Sequence, residues 1–274
     1  MLAIERKNYI LEVLRTNKTL KVNDMAERFN LSKETIRRDL REFERQGLLK
    51  KTHGGAVLAA TEGNFSAPPH PSVARPDYSE LPIGVRRESH TAEKELICKA
   101  AAATLRNNDV VYIDNSSTCI SLVTFIPSDL SVTIITNSLV VIMEAYKVNN
   151  PNLSLFCVPG FFNSNNLSLY GNQTVKIVEE FFPNKAFISC AGVIPDSRLA
   201  DTSMYEIETK RSFMRKSEKV FLLVDADKFN KSAPYLLSDM HLVDCIITDR
   251  RNPKFNWQLL DSIGMEIILA GDNK

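Results

Sequence analysis

Residues 31–55 constrain the fold of this chain more than any other stretch. They read Leu-Ser-Lys-Glu-Thr-Ile-Arg-Arg-Asp-Leu-Arg-Glu-Phe-Glu-Arg-Gln-Gly, then Leu-Leu-Lys-Lys-Thr-His-Gly-Gly. Ser32 is a strong helix N-cap, because its hydroxyl can accept from a first-turn backbone N–H that has no partner inside the helix. Ile36, Leu40 and Phe43 recur at helical spacing and form one apolar stripe. Glu34, Arg37, Arg38 and Arg41 project away from that stripe, and Gly47 falls where a left-handed residue would end the helix. A basic face on an isolated helix is most simply solvated surface, so its meaning depends on what flanks it.

Upstream, Met25, Ala26 and Phe29 mark the inner face of a shorter helix that begins near Val22, and Asn30-Leu31 turns the chain into Ser32. Two helices joined so tightly, the second capped and rich in arginine, have the layout of a helix-turn-helix spanning about residues 20–39. Downstream, Leu48 to Thr52 and Ala56-Val57 read as two strands around a Gly54-Gly55 hairpin, a wing beside the second helix. Ile10, Leu11 and Leu14 supply a first helix over roughly Ile4 to Arg15, which residues 16–19 break. The head so defined covers residues 1–58.

The formal net charge of +1 conceals an asymmetry. Residues 1–56 carry 13 Lys plus Arg against 8 Asp plus Glu, a net of +5, and the remaining residues carry 21 against 25, a net of −4. A basic head on a mildly acidic body suits a reader of DNA phosphates with a separate regulatory module. Met1 to Lys7 is charged where a signal peptide needs an apolar core, and no apolar run approaches the ~18 residues of a membrane span. Cys98, Cys119, Cys157, Cys190 and Cys245 are isolated and flanked by apolar residues, which reads as reduced, buried thiols in a cytoplasmic protein. No spacing of Cys, His and carboxylates suggests a metal or a nucleophile, and no cofactor motif is present.

Residues 59–82, with Pro68, Pro69, Pro71, Pro76 and Pro82, read as a stiff extended linker. From residue 83 to 274 the pattern alternates between strands and helices. The helices are expected at Thr91 to Arg106, Ser138 to Tyr146, Asn172 to Phe181 and Ser203 to Lys216. β-Branched or apolar runs end at Asp114, Thr136, Val158, Ser189, Val224 and Ile247, with a last candidate at Glu266 to Leu269. Near-continuous apolar strands spaced by helices predict an α/β domain with a mostly parallel sheet covered on both faces.

Ligands of such sheets bind beyond the carboxyl ends of the strands. Asp114, Ser116, Ser117 and Thr118 follow one strand and lead toward a helix near Cys119. Asn137 and Ser138 follow the next, and Gly160 and Asp225 stand at two more strand ends. Hydroxyls and free N–H groups at a helix start can cradle a phosphate, with Lys94, Lys210 and Lys228 as basic partners. The same residues are also common helix caps and turn formers. Glu206 and Glu208 read as solvated, and His70, His90 and His241 have no telling partner.

The run Ser32 to Leu40 with His53-Gly54-Gly55-Ala56 resembles the signature of the DeoR family of bacterial transcription regulators. Asp114 to Thr118, Thr136-Asn137-Ser138, Ser189 to Gly192 and Asp225 to Phe229 resemble four loops of that family's effector domain, so the similarity runs from about Leu2 to Asp249. The resemblance implies a winged helix-turn-helix head and an effector domain like ribose-5-phosphate isomerase and glucosamine-6-phosphate deaminase. It also implies control of a carbohydrate-utilisation operon, usually by repression. There are two departures. Ser116 replaces a glycine, and Ala191 stands where the isomerases keep an acid, so the proton-transfer role has no occupant there. Glu206 falls where the family often has an acidic residue near the ligand.

The expected partners are a double-stranded DNA operator and a small effector, a phosphorylated sugar, bound by a homo-oligomer, dimer or tetramer. Ser32, Lys33, Thr35, Arg37 and Arg38 are the candidates for base contacts, and Arg41, Lys50, Lys51 and His53 for phosphates. The alternative is a sugar-phosphate isomerase or deaminase with an accessory DNA-binding head. A third option, an activator, would use the same fold and sites.

Overall fold

The computed structural model describes residues 6–7, 9–10, 13–14, 19–45, 49–52, 54–58 and 80–271, with backbone only at residues 45 and 58. Gly47, His53, His70 and the linker through residue 79 lie outside the described residues. Contacts divide the chain into two compact units, Met1–Val73 and Ala74–Lys274.

In the first unit, residues 6–7, 9–10 and 13–14 are helical, and Ile10 and Leu14 are fully buried. Strand β1 (Thr19–Lys21) runs into the helix Val22–Phe29. Asn30 then takes a left-handed conformation, φ 52°, which Asn tolerates better than most residues and which reverses the chain. The second helix, Lys33–Arg45, starts as its sequence dictates: the Thr35 N–H donates to the Ser32 hydroxyl at 3.2 Å. Ile36, Leu40 and Phe43 are buried, as are Met25, Ala26 and Leu49 on the two elements this helix contacts. Asp39 is also buried, receiving the Arg6 guanidinium at 2.6 and 3.3 Å, so the helix Lys33–Arg45 is tied to the helical residues 6–7.

Strands β2 (Leu49–Thr52) and β3 (Gly55–Leu58) form the wing, and β1 joins β3 to give the antiparallel order β1-β3-β2. The third strand was not apparent from sequence, because three residues are too short to show a period. Gly55 is already a strand residue opposite Thr52, so the hairpin turn includes Gly54 but not Gly55, contrary to the expected Gly-Gly tip. A Cβ on Gly55 would stand 2.1 Å from the Leu20 carbonyl oxygen, which is why only glycine fits.

The second unit is built on seven parallel strands. These are β4 (Asp109–Ile113), β5 (Val132–Thr136), β6 (Leu153–Cys157), β9 (Lys185–Ile188), β12 (Lys219–Leu223), β14 (Cys245–Thr248) and β15 (Glu266–Leu269). Their order is β15-β14-β12-β9-β4-β5-β6. Side chains alternate across the sheet. Val111 and Ile113 face a core covered by the helices Thr91–Ala102 and Leu139–Val148, whereas Tyr112 faces one containing Phe213 from the helix Ile207–Lys216. A hairpin of β7 (Phe161–Asn163) and β8 (Ser168–Tyr170) follows β6. A small antiparallel sheet joins β10 (Gly192–Val193), β11 (Arg198–Asp201) and β13 (Tyr235–Asp239).

The helices keep their expected places but not every end: the first stops at Ala102, and the last begins at Ile207. Four of the cysteines are buried, while Cys157 on the edge strand β6 is exposed, a correction to the sequence expectation.

Candidate functional site

The outer face of Lys33–Arg45 presents Lys33, Arg37, Arg38 and Arg41 to solvent, next to the cap made by Ser32. Thr35 is half-buried, its hydroxyl 2.9 Å from that of Ser32. Glu34 accepts from Arg41 at 2.5 Å and lies 3.6 Å from Arg37, so two of the arginines are held by one carboxylate. Arg38 has no acidic partner among the described residues. On the wing, Lys50 and Lys51 are exposed. Glu44 receives both the Lys51 backbone N–H, at 2.9 Å, and its ammonium, at 3.1 Å, and so binds the wing to the helix. The head therefore displays cations from a rigid helix and an adjoining strand on one small module.

In the second unit a cavity of about 350 Å³ opens beyond the carboxyl ends of β4, β9 and β12. Chain connections leave β4 toward β5 on one side and return to β9 on the other, which leaves a crevice between them. Asn115, Ser116 and Ser117 line it from the loop after β4, and Ser189, Cys190 and Ala191 from the loop after β9. The backbone N–H groups of Asn115 through Thr118 have no acceptor among the described residues, and the side-chain Oδ1 of Asn115 is buried and unpaired. Ser116 uses its hydroxyl to accept from the Cys119 N–H at 3.2 Å. The expected helix there is a 3-10 turn, Ile120–Phe125, so the donors come from the loop and not from a helix terminus.

Four lysines line this cavity: Lys94, Lys210 and Lys228, as expected, and Lys231, which carried no sequence signal. Lys94, on the helix Thr91–Ala102, donates to the Arg86 carbonyl, and its pKa is lowered to about 8 by burial and then by neighbouring Lys228, against the pull of Asp225. Lys228 lies 3.2 Å from the Ser189 hydroxyl and 3.9 Å from Asp225. Lys210 is committed elsewhere: it sits 2.8 Å from Asp201, 3.3 Å from Asp114 and 3.2 Å from the Ser189 carbonyl. Burial opposes its charge, but Asp114, Asp201 and Glu206 outweigh that and hold its pKa well above the ordinary value.

Of the expected effector residues, Lys94, Ser116, Ser117, Lys210, Asp225 and Lys228 meet at the cavity wall. Asp114 and Thr118 lie fully buried behind it. Asn137, Ser138 and Gly160 stand apart. Asn137 accepts from the Tyr112 hydroxyl and donates to the Leu169 carbonyl, and Ser138 caps the helix Leu139–Val148 through the Val141 N–H. Gly160 packs so closely that a Cβ would meet the Thr174 hydroxyl at 2.2 Å.

Two acidic residues of the wall depart from their local sequence reading, although the family resemblance places Glu206 near the ligand. Glu206 is buried, not solvated: it accepts from Ser168, from Asn166 at 3.1 Å and from Asn163 at 3.3 Å. Glu208 is exposed as expected, 2.6 Å from Arg211. Glu80, inside the stretch read as linker, also enters the cavity, paired with Arg86 at 3.2 Å and with the Asn166 amide at 2.9 Å. Ala191 presents only a methyl group, its N–H being given to Ala200 at 2.9 Å. Among the described residues no cluster of His, Cys, Asp and Glu could hold a metal, and no helix is long and apolar enough to cross a membrane.

The sequence matches the DeoR C terminal sensor domain over residues 89–250 and the DeoR-like helix-turn-helix domain over residues 6–62. The HTH-type transcriptional regulator GolR of Listeria innocua is 28% identical over 270 residues, covering 98% of this chain and all of that protein. The glycerol-3-phosphate regulon repressor of Escherichia coli is 26% identical, covering 97% and 98%. The L-fucose operon activator of Haemophilus influenzae is 28% identical, covering 90% and 92%. Among solved structures, ribose 5-phosphate isomerase A of Methanocaldococcus jannaschii aligns over 52% of this chain and 55% of its own, at 16% identity and a TM-score of 0.39.

Proposed function

The chain belongs to the DeoR family of transcription regulators, and from that premise we propose how its two units divide the work. The helix Lys33–Arg45 enters the major groove of an operator. Ser32, Lys33, Thr35, Arg37 and Arg38 approach the base edges, and Arg41, Lys50, Lys51 and His53 the phosphates. The cavity beyond β4 and β9 holds a phosphorylated sugar, and its occupancy relieves repression of a carbohydrate-utilisation operon. One small winged head reads few base pairs, so the working form is a homo-oligomer, dimer or tetramer, acting in the cytoplasm. A ligand coupling of ~1–3 kcal/mol is enough for induction.

The observation that carries the effector assignment is the row of unpaired N–H groups at Asn115 to Thr118, flanked by Lys94 and Lys228. Such donors suit an anion, whereas the carboxylates of the same cavity suit hydroxyls. The relatives named as regulators of glycerol-3-phosphate and fucose systems support a carbohydrate ligand class, and they include both a repressor and an activator. The sign of regulation follows from operator position, which transcription from a reporter promoter measures.

The test is thermal unfolding of the full chain with sugars and their phosphate esters. Glucose 6-phosphate and its relatives should raise the transition by mass action, and the free sugars should not. Equal shifts from a sugar and its ester would remove the anion from the assignment. Turnover of those esters by the purified chain would favour the isomerase alternative instead.

A further inference from the structure

Beside the phosphate cavity, and sharing Glu80 and Thr202 with it, lies a second, more open hollow of about 440 Å³. Its lining is of another kind. Phe162 on β7, Tyr170 on β8, Tyr205 ahead of the helix Ile207–Lys216 and Tyr235 on β13 bring aromatic residues from separate elements to its lining. Tyr205 leans on Tyr170 with ring centroids 4.9 Å apart, which fixes its position although more than half of it is exposed. Among the described residues, no lysine or arginine lines this hollow. The hydroxyls of Ser164, Thr202 and Ser203 have no partner among the described residues, although Ser203 is only 7% exposed.

A phosphate finds no cation here, and a wholly apolar group would bury those hydroxyls without partners. A sugar ring meets both demands. Its C–H faces lie on aromatic π faces, and its rim of hydroxyls pairs with Ser, Thr and the nearby amides. We propose that the two hollows form one bipartite site and that the effector is a phosphorylated glycoside. Its phosphate-bearing sugar lies between the Asn115–Thr118 N–H groups and Lys94 and Lys228, and its second sugar lies over Tyr205 and Tyr235. Glu80, at the junction and held by Arg86 and Asn166, faces hydroxyls of both rings. This deepens the effector assignment above and rests on it.

The experiment measures equilibrium binding to the full chain of glucose 6-phosphate and galactose 6-phosphate against cellobiose 6′-phosphate and lactose 6′-phosphate. At least one disaccharide phosphate should bind about threefold to tenfold tighter than its monosaccharide counterpart, the range of one aromatic contact. Tyr205→Ala should abolish that excess and leave the monosaccharide affinity in place, whereas Tyr205→Phe keeps it. Equal affinities of the two classes, or a parallel loss of both in Tyr205→Ala, overturns the bipartite site and leaves the phosphate cavity standing. Failure of all four esters to bind removes the phosphate assignment and this proposal with it. If Tyr205→Ala alters sedimentation of the chain but no ligand affinity, the hollow is a contact between copies and the proposal falls.

Discussion

Lys210→Met should be among the most damaging single changes in the sensor unit. The ammonium group is buried with Asp201 at 2.8 Å, Asp114 at 3.3 Å and the Ser189 carbonyl at 3.2 Å. Methionine keeps most of the side-chain volume but leaves two buried carboxylates without a cation. Removing one partner from a buried pair costs about 3–5 kcal/mol, a large share of the ~5–15 kcal/mol that holds a domain folded. Trp257 is the single tryptophan of the chain and packs in the sensor core, its indole N–H donating to Asn252 at 2.8 Å. Its fluorescence during urea unfolding therefore follows this unit alone. With a slope of ~2 kcal/mol per molar urea, the midpoint should fall by roughly 2 M. The pH response separates charge from packing. Because the pKa of Lys210 is raised, its stabilisation is complete below the ordinary 10.5 and is lost as pH climbs through the higher folded value. The variant lacks that alkaline loss. Burial already raises the pKa of Asp114. Without the cation it takes up a proton still more readily, so the variant's deficit should shrink between pH ~8 and pH ~5. A midpoint within ~0.3 M of the parent, or a deficit that widens toward acid, would refute the reasoning.

Arg38→Ala should relax sequence preference by about 1–3 kcal/mol in operator competition, while Lys51→Ala should lower affinity for all duplexes and reduce the salt slope by about 1. Equal losses on operator and random DNA from both changes would contradict that division. Lys94 titrates near pH 8, so affinity for glucose 6-phosphate should weaken by up to ~10-fold between pH ~7 and ~9, and calorimetry on Lys94→Met should find that dependence gone. Its effect on stability has the opposite sign, since the cost of burying its charge is present below about 8 and relieved as pH rises toward 10.5. Gly160→Ala should destabilise the sensor unit by about 1–3 kcal/mol, because its Cβ would stand 2.6 Å from the Tyr170 carbonyl oxygen as well as against Thr174. Altered phosphate-ester binding at unchanged stability would instead make Gly160 a ligand contact.

The elements legible in the sequence were those whose signal is local. Ser32, Ile36, Leu40 and Phe43 announce a capped amphipathic helix, and the runs at Val110, Val132 and Val220 announce buried parallel strands. The small strands were not legible. β10 has two residues, β1 has three, and the β11–β13 pairing shifts register between Leu199 and Ala200, so no period of two survives to be read. These pieces hold their shape by pairing with distant partners rather than by their own pattern.

The cavity exposes the limit more sharply. Sequence identifies which residues carry charge, but not which of those charges a neighbour has already claimed. Lys94, Lys210 and Lys228 are equivalent as letters, yet Asp114 and Asp201 hold Lys210. The hydroxyls at and just after the end of β5 are likewise taken: Thr136 donates to the Ile113 carbonyl and Ser138 caps a helix. Glu206 looked solvated because Asn163, Asn166 and Ser168, about forty residues earlier in the chain, gave no hint of enclosing it. Glu80 reaches Asn166 across a similar gap of 86 residues. What is left for a ligand is therefore decided by subtraction. Once the lysine held by carboxylates and the paired hydroxyls are set aside, the loop N–H groups with Lys94, Lys228 and Lys231 remain as the anion-seeking donors of the cavity, the place the proposed phosphate would take.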